Sequence, residues 1–166
     1  MKIVRIVIAT LLMQLSIFVW AESTLPVAES VLVDKSARKL WLINGGVKYR
    51  EYTISLGDSP QGHKEREGDE RTPEGSYVID YRNPESKYHL SLHISYPRQQ
   101  DQQAARERGV SPGGDIFIHG LPNGSEFMPQ AYRGVDWTDG CIAVNNREIE
   151  EIWALVKDGT PIEILR

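Results

Sequence analysis

Hydrophobic and polar positions alternate with period two along much of this chain, the spacing of half-buried strands. Val31 to Val33 and Lys39 to Ile43 read as short strands. Asn44-Gly45-Gly46 is a turn signal, and Val47 to Leu56 continues as a third strand, which makes a β-meander. Tyr77 to Tyr81 predicts another. From Tyr88 to Tyr96 the alternation is strict, with Tyr88, Leu90, Leu92, Ile94 and Tyr96 on one face and His89, Ser91, His93 and Ser95 on the other. Asp115 to His119, Cys141 to Val144 and Ile162 to Leu165 complete the strands.

Helical spacing occurs twice. Gln99 to Arg108 is polar and free of Gly and Pro, which predicts a short exposed helix. Near the end, Ile149, Ile152, Trp153 and Val156 form a core-facing stripe, with Asn145 placed as N-cap and Glu148 as its capping-box partner. Gly159 is expected to end that helix and Pro161 to prevent its return. Two stretches show neither period. Gly57 to Gly75 carries nine charged residues and two prolines, and Gly120 to Trp137 is rich in Gly and Pro. Long irregular segments in a compact domain are usually functional or mobile. The βα alternation of a doubly wound fold is missing. The expected class is mainly β, a sandwich or mixed-sheet assembly, with one packed helix near the C-terminus and a short polar one.

The first 21 residues stand apart. Lys2 and Arg5 precede an uncharged, mostly apolar run from Ile6 to Trp20, and Val19-Trp20-Ala21 is a small-x-small pattern. That is the layout of a secretory signal peptide, with an uncleaved membrane anchor as the rival reading. Residues 22–28 then read as a short tether and 29–166 as one domain. Export places the protein in the periplasm or cell envelope. A membrane partner follows only if the segment stays uncleaved. Setting the segment aside leaves 17 basic residues against 23 acidic ones, a net charge of -6. Such a domain has no general attraction to nucleic acid or to an anionic envelope, so a wall partner must be bound at a specific site.

Candidate chemistry centres on the one cysteine. A lone Cys excludes an intramolecular disulfide and a multi-thiolate zinc site. His89 and His93 point the same way on a strand but lie about 13 Å apart, too far to share a zinc ion. Cys141 follows Thr138-Asp139-Gly140 at a turn-to-strand junction. Gly140 allows a tight turn there, and the N–H groups of Gly140 and Cys141 could face a developing oxyanion. A thiol needs a base, and His119, at the end of its strand and followed by Gly120, is the best candidate. A small buried hydrophobe is the commoner fate of a free cysteine.

Ile118-His119-Gly120, a spacer and then Thr138-Asp139-Gly140-Cys141-Ile142 resemble the catalytic signature of bacterial L,D-transpeptidases. Val31 to Lys35 followed by Lys39 to Leu42 is similar to that family's opening hairpin. Thr72-Pro73-Glu74-Gly75 before Tyr77 resembles its Thr-Pro-x-Gly strand entry. Asn146 and Gly159-Thr160-Pro161-Ile162 match its later positions. The resemblance implies a β-rich catalytic fold over residues 29–166, acting on peptidoglycan stem peptides without a metal or other cofactor. By position, Cys141 would be the nucleophile, His119 the base, Gly140 an oxyanion donor and Thr138 a support for the loop. Gly120 and Asp139 are further substrate-side candidates, and Tyr132, Arg133 and Trp137, shortly before Cys141 in sequence, could hold a stem carboxylate or pack on its alkyl chain, or pack on the domain as loop residues. Asp139 stands where the family has a second His, and Ala143 where it often has Arg. An inward Asp139 would disfavour a thiolate; it could instead orient His119. Three acceptors fit the implied acyl transfer: an amine of another stem, a lysine of an attached envelope protein, or water. A hydrolase of the same family and a catalytically silent wall-binding domain are the alternatives.

Overall fold

The computed structural model describes residues 25–125 and 127–166. The expected signal segment, residues 1–21, lies outside the described residues. Eight strands form: β1 (Ser30–Asp34), β2 (Lys39–Asn44), β3 (Val47–Thr53), β4 (Gly75–Ser86), β5 (His89–Ile94), β6 (Phe117–His119), β7 (Ile142–Ala143) and β8 (Pro161–Leu165). Two helices accompany them, α1 (Gln99–Glu107) and α2 (Asn146–Leu155). The molecule is mostly β, with strand order β3-β2-β1-β8-β4-β5-β6-β7. The β1/β8 and β6/β7 pairs are parallel and the others antiparallel, so the sheet is mixed.

The sheet's two ends meet. Beyond β3 the chain leaves β2, and Ser55 bridges to Ala143 while Gly57 bridges to Thr138. The strand expected to run unbroken to Leu56 therefore stops at Thr53 and changes partners. Ser55 and Ala143 exchange both backbone hydrogen bonds at 2.9 Å. The circuit encloses one core. Val31 and Val33, Leu40 and Leu42, Leu92 and Ile94, and Ile162 and Ile164 are the inward members of alternating strands. Ile149, Ile152 and Val156 of the α2 segment close the core from one side, and Trp153 packs at its edge. The α2 capping box forms as expected, with Asn145 accepting from the Glu148 N–H and Glu148 accepting from that of Asn145. The helix ends earlier than Gly159: Val156 is already extended, which turns its side chain into the core.

Residues 26–28 are held against the domain. Tyr49 Oη donates to the Pro26 carbonyl, Asn44 Nδ2 to that of Val27, and the Ala28 N–H to that of Leu155. The strict alternation starts after Tyr88, because His89 has φ +67. That left-handed residue reverses the pleat and releases Tyr88 from the Leu92 face. Leu92, Ile94 and Tyr96 stay buried as expected.

The irregular segment after Gly57 is anchored from within. Lys35 is 2% exposed, and its ammonium donates to the Gly62 and Thr72 carbonyls and to Glu74 at 2.6, 3.0 and 2.9 Å. Removing the amine while keeping the stem, as in Lys35→Met, strands two carbonyls and a carboxylate. An equilibrium urea titration is expected to show a loss of about 3 kcal/mol.

Candidate active site

Sheet register assembles the site. Ile118 pairs with Ile142, and His119 with Ala143. Ile118 and Ile142 face the core, so alternation puts His119, Cys141 and Ala143 on the opposite face. Ser91 of β5 pairs with His119 and His93 with Phe117, and Tyr81 of β4 pairs with His93. The face anticipated for Ser91 and His93 is thus the face that carries the cysteine and the histidine. Strand spacing places the Cα atoms of His119 and Cys141 about 8 Å apart, one diagonal step across the ladder.

His119 is 3% exposed. Its Nδ1 lies 2.7 Å from the Gly120 carbonyl oxygen, which can only accept, so Nδ1 carries the proton and Nε2 is left unprotonated. The ring is held between aromatic neighbours, with Tyr88 at 4.4 Å and Trp137 at 5.7 Å between centroids. Burial pushes its pKa down to about 4, against a smaller upward pull from the Gly120 hydrogen bond. Gly120 orients the base through its carbonyl. Its own N–H donates to the Tyr88 and Leu90 carbonyls, and Asn146 Oδ1 holds the next N–H, that of Leu121, at 2.8 Å.

Cys141 is half-buried. Its sulfur accepts from the Phe117 N–H at 3.4 Å and donates to the Asp115 carbonyl at 3.6 Å. Burial pushes the thiol up to about 11. The Phe117 hydrogen bond and the charge of Lys64 pull downward, and the charges of Asp139 and Asp115 push upward. The resting pair is therefore a neutral thiol and a neutral imidazole, with the thiol proton directed at Asp115 rather than at His119.

The turn that carries Cys141 is closed by Thr138. Its Oγ1 donates to the Cys141 carbonyl at 2.8 Å and accepts the Gly140 N–H at 3.2 Å. Thr138 thus bonds two members of the turn and engages the Gly140 N–H. Gly140 is required here for its backbone conformation. It adopts φ +121, and a Cβ there would stand 2.6 Å from the Arg71 carbonyl oxygen. Thr72 Oγ1 donates to the Gly140 carbonyl at 2.9 Å. The Thr-Pro-Glu-Gly segment thus connects Lys35 to the nucleophile turn.

Asp139 is exposed, and the Gly120 carbonyl holds the position on His119 that Asp139 could have taken. Its charge acts through space. In Asp139→Asn the upward push on the thiol disappears. Alkylation by iodoacetamide near pH 8 is expected to run about twofold faster, and the difference should shrink in high salt.

Tyr132, Arg133 and Trp137 all line a cavity of about 590 Å³ that also takes in Ala143, Leu121 and Arg147. Cys141 and His119 do not line it; it opens beside them, beyond Trp137. Asp136 aligns this approach, since its carboxylate accepts two nitrogens of the Arg38 guanidinium and the Leu56 N–H. Three neighbours of Cys141 and His119 went unnoticed in the sequence. Tyr88, Asp115 and Phe117 act through a ring face, a carbonyl and an N–H, which residue type does not signal.

A model of the L,D-transpeptidase catalytic domain, the YkuD family, matches residues 28–164. YafK of Escherichia coli is 28% identical over 133 residues, which covers 76% of this chain and 46% of YafK. Among solved structures, the helical cell shape determining protein Pgp2 of Campylobacter jejuni superposes with a TM-score of 0.61 at 28% identity, over 81% of this chain and 46% of Pgp2. Bd1075 of Bdellovibrio bacteriovorus gives a TM-score of 0.57 at 29% identity, over 84% of this chain and 48% of Bd1075. This chain spans about half the length of each of these relatives.

Proposed function

The chain belongs to the L,D-transpeptidase catalytic-domain family, and we propose that it is an exported cysteine acyltransferase that works on peptidoglycan stem peptides through a thioester on Cys141. The observation that carries this reading is the pairing of Cys141 with His119 on one sheet face, with Nδ1 tied to Gly120 and Nε2 left as the proton acceptor.

The thiol first leaves the Asp115 carbonyl and turns to His119. Sγ bonds to the carbonyl carbon at the third, L-configured centre of the stem's diamino acid, and the thiol proton passes to Nε2. The carbonyl oxygen becomes an oxyanion. The Cys141 N–H is the donor assigned to it, since the Gly140 N–H is engaged by Thr138. The carbon–nitrogen bond to D-Ala then breaks, and the departing amine takes the proton from His119. An acceptor finally attacks the thioester, the sulfur leaves, and the proton lost by the acceptor returns to Cys141 through His119. An amine of a second stem yields a crosslink, a lysine of an envelope protein yields an anchor, and water yields a trimmed stem. The likeness to Pgp2 supports a role in cell shape.

Incubation with tetrapeptide stems, followed by intact-protein and product mass measurements, tests the reading. A thioester on Cys141 and an amine-linked product are expected. Water-added products alone would replace transfer by hydrolysis. A wild-type protein with reduced Cys141 that gains no mass from any stem would leave only the wall-binding alternative.

A further inference from the structure

We propose that the main-chain N–H of Phe117 is a catalytic donor to the oxyanion that forms on Cys141, a role that rests on the acyl-transfer reading above. In that step the sulfur bonds to the carbonyl carbon, the thiol proton passes to His119, and the carbonyl π electron pair moves onto oxygen. The new anion needs donors that are fixed in place before it appears. The Gly140 N–H bonds the Thr138 hydroxyl at 3.2 Å, which leaves the turn with the Cys141 N–H.

Sheet register supplies a second donor from the neighbouring strand. Ile118 of β6 pairs with Ile142 of β7 in parallel, and the Val144 N–H donates to the His119 carbonyl at 2.9 Å. Main-chain groups along a strand face its two neighbours alternately, so Phe117, two residues before His119, also turns its N–H to the β7 side. The peptide that joins Ile116 to Phe117 gives the same direction. The Ile116 carbonyl accepts the Ile94 N–H of β5 at 2.8 Å. A trans peptide points its N–H opposite to its C=O, so the Phe117 N–H is aimed away from β5 and toward Cys141. A regular ladder would continue with the Gly140 carbonyl as its acceptor. Gly140 instead has φ +121, and its carbonyl accepts the Thr72 hydroxyl at 2.9 Å. The Phe117 N–H is left with the Cys141 sulfur, at 3.4 Å, and sulfur is a weak acceptor.

An oxygen on the carbon bonded to Sγ stands two bonds from the sulfur, so it arises in the region into which this N–H already points. The same hydrogen bond favours negative charge there, since it pulls the thiol's pKa down against burial. The donor is also rigid. Its peptide is tied to β5 through Ile116, and the Phe117 ring packs edge-on against His93 at 4.9 Å and Tyr81 at 5.9 Å between centroids.

The test removes the N–H from the full chain and compares two reactions at Cys141. Phe117→phenyllactate, an ester in place of the amide, keeps the ring and lacks the donor. Phe117→Pro lacks the donor as well and leaves the Ile116 carbonyl an amide; proline is tolerated at the first residue of a strand, which Phe117 is. Acylation by p-nitrophenyl acetate passes through an oxyanion, and alkylation by iodoacetamide does not. Acylation is expected to slow about 10²- to 10³-fold in both variants. Alkylation near pH 8 should slow by less than about fivefold, the share owed to a higher thiol pKa. Equal losses in the two reactions would show a donor that serves the sulfur alone, and acylation within about threefold of wild type in either folded variant would show no oxyanion donor at all; each result overturns the proposal. Because p-nitrophenyl acetate needs no stem recognition, the two levels separate. A wild type acetylated by it but not acylated by tetrapeptide stems removes the stem reading and leaves the donor. Stem thioesters formed at the wild-type rate in both variants remove the donor and leave the reading.

Discussion

Cys141→Ser is expected to lose stem-peptide turnover by about four orders of magnitude or more, and to gain no acyl mass when incubated with stems. The size of the effect follows from the site. His119 is a weak base, with a pKa near 4, and it faces a neutral thiol. Sulfur tolerates this because its proton departs as the bond to carbon forms and because it is intrinsically nucleophilic. A serine hydroxyl, far less acidic, gains nothing comparable from an imidazole of pKa 4. The site also lacks a compensating group, since the Nδ1 partner of His119 is the neutral Gly120 carbonyl rather than a carboxylate. The fold should hardly notice the exchange. The sulfur makes only two long hydrogen bonds, to Phe117 and Asp115, and Ser can make both. A change in unfolding free energy of about 1 kcal/mol or less is expected. Chemical denaturation together with intact-mass measurement checks both halves. A Ser variant that keeps the wild-type turnover would refute the thioester route.

Local pattern carried the reading a long way. The strands from Val31 to Ile43, the α2 stripe and its Asn145/Glu148 box were legible because period and capping chemistry are properties of neighbouring residues. The turn before Cys141 and the strand end at His119 were legible because turn signal and period coincide there. What stayed hidden depends on contacts between distant segments. No local rule brings Ser55 to Ala143, or the Thr72 hydroxyl to the Gly140 carbonyl, so the closure of the sheet was missed. Tyr88 was assigned to the wrong face because period two assumes that every residue is extended, and His89 is not. The engagement of the Gly140 N–H was not legible, because residue type does not show that the Thr138 hydroxyl bonds two members of the turn at once.

These contacts also explain the distribution of rigidity. Lys35 fixes Thr72, Thr72 fixes Gly140, and Thr138 closes the same turn from the other side. Cys141 is therefore set on a backbone over-determined by three separate segments, while its sulfur is held only by two long hydrogen bonds. Preorganised backbone with a mobile reacting atom suits a thiol that must serve first as attacking group and then as leaving group.

The acid limb of the acylation rate should be centred near pH 4, well below the ordinary histidine value of 6.5. Nε2 must be unprotonated to take the thiol proton, and burial holds His119 neutral until about pH 4. Toward alkali no limb is expected before about pH 11, where the thiol ionises. Folding stability carries the same signature. Between pH 6.5 and pH 4 the unfolded chain binds a proton at this histidine and the folded chain does not. Stability is therefore fully present above pH 6.5 and is lost as pH falls toward 4, by roughly 3 kcal/mol. For Cys141, whose folded value is raised, the loss comes as pH rises from about 9 toward 11. His119→Gln separates the histidine from the carboxylates that also titrate in acid. It should reduce acylation about 10²- to 10⁴-fold and flatten the stability difference between pH 7 and pH 4.5 relative to wild type. Rapid-quench acylation across pH and paired urea titrations of the two proteins supply the measurements. An acid limb centred at 6.5, or an unchanged pH dependence of stability in His119→Gln, would show that the imidazole is hydrated in the working protein and would remove burial as the source of its low basicity.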